Sequence, residues 1–205
     1  MKIKSSTFIK SSKSHTAGPE DRLPEFAFIG RSNVGKSSLI NMLTSVRGLA
    51  KISTTPGKTQ LINHFLINEA WYLVDLPGIG YAKIAQTERK AWVPMIADYL
   101  TRRQSLLHTF MLVDSRLSPQ KIDLDFMNNM VKHEVPFSIV FTKTDKLKRM
   151  ELQQNMRLYK STLLGIWEHL PEVFLTSATA KTGGEDLLGF IEILLKEYVK
   201  TPQPK

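Results

Sequence analysis

The chain has no cysteine among its 205 residues. That absence excludes disulfides, thiolate zinc sites, iron–sulfur clusters and cysteine nucleophiles together, and it suits a cytoplasmic location. No stretch approaches the roughly 18 consecutive apolar residues of a membrane span. The opening MKIKSSTFIKSSKS also lacks the apolar run of an export signal, so no integral membrane association is expected. Glycine and proline are few, 11 and 10, which excludes collagen-like or wholly disordered designs. Acid is scarce in one place above all. From Phe26 to Asn68 there is no carboxylate, whereas Arg31, Lys36, Arg47, Lys51 and Lys58 are basic. An acid-free basic segment suits a negatively charged ligand. The net charge of +9 points to a polyanion, nucleic acid first and an acidic membrane surface second.

Length predicts one domain with short extensions. Residues 1–22 carry five basic and two acidic residues among many Ser and Thr and read as a basic N-terminal arm. Residues 23–200 read as a single domain, and 201–205 as a C-terminal tail. Five short apolar runs, EFAFIG, AWYLVDLPG, HTFMLVDS, PFSIVFTKTD and EVFLTSA, alternate with helically spaced segments at 37–46, 88–103, 124–133, 148–167 and 185–199. Continuous apolar strands separated by helices predict an α/β, three-layer fold with a parallel sheet covered on both faces. A sixth run, LINHFLI, is separated from AWYLVD by only Asn68, Glu69 and Ala70. That is too short for a parallel crossover, so the expectation is a mostly parallel six-stranded sheet with one antiparallel strand. Ligands of such sheets sit beyond the carboxyl ends of the strands.

After EFAFI comes GRSNVGKS, a strand followed by G-x-x-x-x-G-K-S and a helical pattern. Backbone N–H groups from Gly30, Arg31, Ser32, Asn33, Val34 and Gly35 would wrap phosphates, with Ser38 just inside the helix. Lys36 would reach the outer phosphates, and Ser37 would offer a hydroxyl to Mg²⁺. At the end of AWYLVD, the string Asp75, Leu76, Pro77 and Gly78 offers a carboxylate to the magnesium and an N–H to a γ-phosphate. In Thr142, Lys143, Thr144 and Asp145, the terminal carboxylate can accept two hydrogen bonds from guanine, a pair of donors that adenine lacks. Lys143 would lie over the base and brace the phosphate loop. Thr176, Ser177 and Ala178 end the last strand, where the Ala178 N–H can donate to guanine O6.

With these motifs in this order the chain resembles the EngB family, also called YihA or YsxC, of the TrmE–Era–EngA–EngB–septin GTPase superfamily. The resemblance rests on FIGRSNVGKSSLIN, TTPGKTQLINHF, VDLPGIGYA and FTKTD. It implies a Ras-like P-loop GTPase that binds GTP and GDP with Mg²⁺. It also implies a bacterial role in assembling the large ribosomal subunit on ribosomal RNA and in normal cell division and septation. Within Gly57, Lys58 and Thr59, the threonine would be the switch residue that ligates magnesium with GTP. Thr142 stands where most GTPases have Asn, so one tethering amide is lost. The chain is expected to be monomeric; a septum- or membrane-associated scaffold is the competing reading.

Ras-type GTPases place a water-orienting Gln after D-x-x-G. Here Ile79 takes that position, which predicts slow intrinsic hydrolysis. The resemblance to TrmE-like proteins offers Asn33 as a holder of K⁺ near the β and γ phosphates, so Lys36, Thr59 and Asn33 form the catalytic set. Residues 49–59 and 78–87 are expected to order with the γ-phosphate. The five histidines have no metal-ligand spacing and read as surface or partner contacts. Asp114 reads as structural. Arg102, Arg103, Lys146, Lys148 and Arg149 read equally as RNA contacts or solvated helix faces.

Overall fold

In the computed structural model of this chain, the described residues are 1–46, 48–50, 61–79 and 86–200, the side chains of 86–93 excepted. The order is β1 (Ser6–Ser12), β2 (Glu25–Gly30), α1 (Lys36–Thr44), β3 (Ile62–Ile67), β4 (Trp71–Asp75), α2 (Gln86–Arg102), β5 (Leu106–Asp114), α3 (Lys121–Lys132), β6 (Phe137–Thr142), α4 (Arg149–Leu164), β7 (Val173–Leu175) and α5 (Gly184–Lys200). The strands form one sheet ordered β1-β3-β4-β2-β5-β6-β7.

Only β3 opposes its neighbours, as the short connection after LINHFLI requires. Asn68 and Glu69 turn the hairpin in left-handed backbone conformations, φ 50° and 55°. Strand β2 is buried along its whole length, which is what a continuous apolar run between two parallel neighbours demands. Its side chains alternate between two cores. Ala27 and Ile29 meet Met127, Tyr159 and Leu163 from α3 and α4, while Phe26 and Phe28 meet Leu39 and Leu187 from α1 and α5. Each fully buried Phe, Leu or Ile contributes about 1.5–3 kcal/mol relative to exposure.

The sheet has a seventh strand, one more than expected. Part of the segment read as a polar arm pairs with β3 as β1, although Phe8 and Ile9 remain half exposed. The cause is the hairpin turn itself: the Asn68 side chain accepts from the N–H groups of Lys4 at 2.7 Å and Ser5 at 3.1 Å, and donates to the Lys2 carbonyl at 3.0 Å. Further along, the Arg103 guanidinium donates to the carbonyls of His15 (3.1 Å) and Pro19 (2.7 Å) and to the buried Glu25 carboxylate (2.9 Å). Arg103 is therefore a half-buried clamp at the amino-terminal edge of the sheet and not an outward-facing RNA contact. Tyr99 and Ser105 also donate to Glu25.

Two histidines depart from the surface reading. His64 on β3 and His108 on β5 are buried, and desolvation lowers both rings to a pKa of about 4. His108 shares a 2.8 Å hydrogen bond with Ser138.

Candidate functional site

The carboxyl ends of β2, β4, β5, β6 and β7 converge on one edge, and the polar strings that end those strands meet there. The phosphate loop leaves β2 at Gly30, where a Cβ would sit 2.6 Å from the Leu112 carbonyl oxygen, so no larger residue fits without displacing β5. Asn33 (φ 64°) and Gly35 (φ 108°) then adopt left-handed conformations that curl the backbone before α1 begins at Lys36. A helix start preceded by a curled loop presents converging N–H groups to an anion.

Strand β4 runs parallel to β2 with Asp75 opposite Phe28. The nearly buried Asp75 carboxylate accepts a hydrogen bond from the Lys36 ammonium, joining the two phosphate-end motifs. The following turn lies against the loop: the Ile79 N–H donates to the Gly30 carbonyl at 2.9 Å, and a Cβ on Gly78 would be 3.1 Å from the Ser32 hydroxyl. Among the described residues no group of three or more His, Cys, Asp or Glu could hold a metal by itself. The Ser37 hydroxyl and Asp75 carboxylate are instead the two hard oxygen donors expected for Mg²⁺ that arrives with phosphates supplying its other ligands. That donor set fits. Gly57, Lys58 and Thr59 lie outside the described residues, as do most of the two expected switch segments.

Beyond α1 is a cavity of about 180 Å³ lined by Gly35, Lys143, Asp145, Lys146, Thr176 and Ala178 among others. Its volume is below the ~300 Å³ of pockets that enclose drug-sized ligands and suits a single heterocyclic base. Lys143 is itself left-handed (φ 59°), which turns its side chain back towards the phosphate loop. The ammonium donates to the Asn33 carbonyl at 2.6 Å and to Asp114 Oδ2 at 2.8 Å. Thr142 compensates for the absent amide: its hydroxyl lies 2.6 Å from the Val34 carbonyl and 3.2 Å from that of Val113, so a tether to the loop survives.

Asp145 faces this cavity. Its Oδ1 accepts from the Ser177 hydroxyl at 2.6 Å, and Lys146 lies 3.4 Å from Oδ2. The Ser177 hydrogen bond, with help from Lys146, lowers its pKa, so the carboxylate stays ionised and can accept from a base. Thr144 donates to the Thr176 carbonyl from both its backbone (3.3 Å) and its hydroxyl (3.1 Å), which holds the two base-side segments together. The loop carrying Ala178 closes through Ser177 and Thr182, whose backbones exchange hydrogen bonds at 3.1 and 3.2 Å. It depends on Gly183 (φ 76°), where any Cβ would overlap the Leu175 carbonyl.

Asp114 was read from sequence as structural, yet it holds Lys143 in place. Burial opposes its charge, but hydrogen bonds from Arg116 (2.9 and 2.7 Å) and Lys143 keep its pKa near 2. The signal available in the sequence was an acid ending a buried strand with an arginine two residues on. Arg31 also behaves distinctively. Its Nη1 is buried without a hydrogen-bond partner, near the buried Asp123 of α3, whose pKa desolvation raises to about 6 against the pull of Arg31.

A family profile described as "50S ribosome-binding GTPase" matches residues 25–143. The probable GTP-binding protein EngB of Christiangramia forsetii is 52% identical over 192 residues, covering 94% of this chain and 97% of that one. The protein of the same name from Porphyromonas gingivalis is 52% identical over 197 residues, covering 96% and 98%. Among solved structures, a probable GTP-binding protein engB superposes with a TM-score of 0.69 at 21% identity, covering 84% of this chain and 99% of that one. Era in complex with MgGDPNP and nucleotides 1506–1542 of 16S ribosomal RNA superposes at 0.64 and 21% identity, covering 89% and 58%. At these identities the structural likenesses establish the P-loop GTPase fold.

Proposed function

The chain belongs to the EngB family of GTP-binding proteins, within the 50S ribosome-binding GTPases, and from that premise we propose that it is a Mg²⁺-dependent GTP switch acting in assembly of the large ribosomal subunit. The chain is a GTPase. The finer reading is that its GTP form engages ribosomal RNA in the cytoplasm, that hydrolysis releases it, and that cell division and septation depend on it through ribosome supply. The observation that carries the nucleotide part is the convergence of Lys143 on Asn33, which sets the base cavity directly beside the phosphate loop.

In this reading, Asp145 accepts the N1–H and amino protons of guanine, and the Ala178 N–H donates to O6. The stem of Lys143 covers the base. The phosphates lie over the N–H groups of residues 30–38, with Lys36 turning from Asp75 to the outer phosphates. Mg²⁺ would be held by Ser37 and Asp75, with Thr59 in the GTP state, and would neutralise charge on the β and γ oxygens. Gly78 reports the γ-phosphate through its N–H. Ile79 is apolar, buried, and committed through its N–H to Gly30, so it cannot orient an attacking water. Slow unassisted turnover follows. On this reading Asn33 would hold K⁺ at the phosphates, where a cation stabilises charge developing in the transition state.

Co-sedimentation with purified large ribosomal subunits tests the reading, using a non-hydrolysable GTP analogue, GDP or no nucleotide at two salt concentrations. Tighter retention in the GTP state that persists at moderate salt is expected. Binding that disappears at moderate salt in every state would reduce it to general attraction of a +9 chain for RNA.

A further inference from the structure

The basic side chains of this surface divide into two kinds. Arg102 pairs with Asp98, Lys121 with Asp125, Lys196 with Glu192 and Arg116 with Asp114. Other exposed cations, Lys2, Lys4, Lys132 and Lys181 among them, have no such partner among the described residues, and on α4 three of this kind share one helix. Arg149, Arg157 and Lys160 are exposed, and none has a carboxylate within ion-pair reach among the described residues. The single acid of the helix, Glu151, accepts from the Lys148 N–H at 2.8 Å and is held at the first turn. Nothing on α4 therefore neutralises the charge further along.

With Gln153, these three residues are spaced by four, four and three positions. They run along one side of the helix for roughly 16 Å. The support is firm. Tyr159 and Leu163 are buried beneath, Tyr159 packs edge-on against Phe141 at 4.9 Å, and the Asn155 amide donates to the Ser115 carbonyl at 2.9 Å. The buried side of α4 is committed to the core, and the apolar residues left exposed on it, Met150, Leu158 and Leu164, are set among polar and basic ones. Their exposed neighbours Gln153, Gln154 and Ser161 offer hydrogen-bonding groups. Unpaired cations on a firmly packed helix, interleaved with amides, suit a phosphodiester backbone and its 2′-hydroxyls.

We propose that Arg149, Gln153, Arg157 and Lys160 form a docking stripe for the RNA backbone that acts as a nucleotide-independent anchor. The proposal rests on the reading that the chain binds ribosomal RNA, and it assigns a division of labour within that reading. In the sheet order, β6, which leads into α4 through the base-side loop, lies three places from β4, which carries Asp75 and Gly78. That is about 14 Å at ordinary strand spacing. The stripe is thus remote from the segment that would sense a γ-phosphate. Anchoring and sensing are performed by separate surfaces.

The test is binding of purified large-subunit ribosomal RNA to the full chain across a salt series, in GDP and in a GTP analogue. The variant carries Arg149→Gln, Arg157→Gln and Lys160→Gln together, and a control carries Lys2→Gln, Lys4→Gln and Lys10→Gln on the opposite edge. The stripe variant should bind roughly tenfold or more weakly at physiological salt, and its log–log salt slope should be shallower by ~2, the value for three lost phosphate contacts. The loss should be equal in both nucleotide states, with GDP affinity, basal hydrolysis and melting temperature unchanged. Wild-type affinity in the stripe variant, a loss confined to one nucleotide state, or an equal loss in the amino-terminal control would overturn the anchor. Binding to phosphatidylserine vesicles that exceeds RNA binding and is lost with the stripe would replace RNA by a membrane. Failure of the unaltered chain to bind RNA at all would overturn the ribosomal reading and the anchor with it, a result distinct from the others.

Discussion

The ammonium of Lys143 donates to the carbonyl of Asn33 at 2.6 Å, so this side chain, together with the Thr142 hydroxyl, fastens the end of β6 to the glycine-rich loop after β2. Asp114 fixes that ammonium from the other side at 2.8 Å. Hydrogen bonds to charged groups contribute about 1.5–3 kcal/mol. Asp114→Asn should therefore weaken GDP binding by roughly tenfold or more. In a Lys143→Met background the same substitution should have little further effect, because the group it positions is gone. Fluorescent-GDP titration of the four proteins checks this, and additive losses would show that Asp114 acts elsewhere.

Asp145→Asn replaces an acceptor with a donor in the base cavity. Affinity for guanine nucleotides should fall by two orders of magnitude or more and that for xanthine nucleotides should rise. Competition between GDP and XDP measures both, and unchanged GDP affinity would mean that the wrong acid has been assigned.

If Asn33 holds a monovalent cation, turnover should be faster in K⁺ than in Na⁺ at equal ionic strength. Asn33→Ala should remove the difference while leaving GDP affinity within a few fold. Equal rates in the two salts, with and without large subunits, would remove the cation from the mechanism.

Removing Arg103 strands the Glu25 carboxylate in the interior. Arg103→Met should cost about 3–5 kcal/mol, the usual consequence of breaking a buried ion pair from one side. Glu25→Gln with Arg103→Met should recover part of it. Urea denaturation gives the stabilities. Limited proteolysis should show new cleavage between residues 13 and 22, which lose two backbone contacts to Arg103.

Acid should destabilise the fold before carboxylates are fully protonated. His64 and His108 titrate near 4 in the folded chain against an ordinary 6.5, because burial disfavours their charge. The unfolded chain thus binds more protons between pH 6.5 and 4. Their contribution is complete above pH 6.5 and is lost as pH falls, by ~3 kcal/mol each at most. Asp123, raised from 3.8 to about 6, works the other way, because the folded state holds its proton and gains stability as pH falls through 6. Two histidines outweigh one aspartate, so net stability should decline from pH 6.5 to 4. A pH series of urea transitions, with NMR titration of the two rings, measures this. A flat profile would contradict it.

Much of the candidate site's layout was legible because its motifs are local in sequence. GRSNVGKS, DLPG and TKTD each carry their own strand end, and a parallel sheet brings strand ends together whatever the loops contain. What escaped was long-range. Strand β1 has no apolar alternation, since an edge strand can be held by backbone pairing and a side chain such as Asn68. The partnership of Arg103 with Glu25 spans 78 positions and leaves no periodic trace. His64 and His108 look polar in a string of letters, but each occupies a strand whose neighbours bury it. Thr142 shows a subtler limit. The missing amide could be seen in the sequence, but not that a hydroxyl would reach the Val34 carbonyl.

The wide separation of Glu25 from Arg103 also sets a schedule for biosynthesis. At about 5–20 residues per second, the carboxylate exists for roughly 4–16 s before its guanidinium has been polymerised. Through that interval β2 carries an acid that a dry interior would reject, and for its first half β1 also has no β3, which ends at Ile67. The nascent chain is thereby kept from closing its central strand until α2 is complete. The amino-terminal segment, made first, gains its last anchor only when residue 103 has been added.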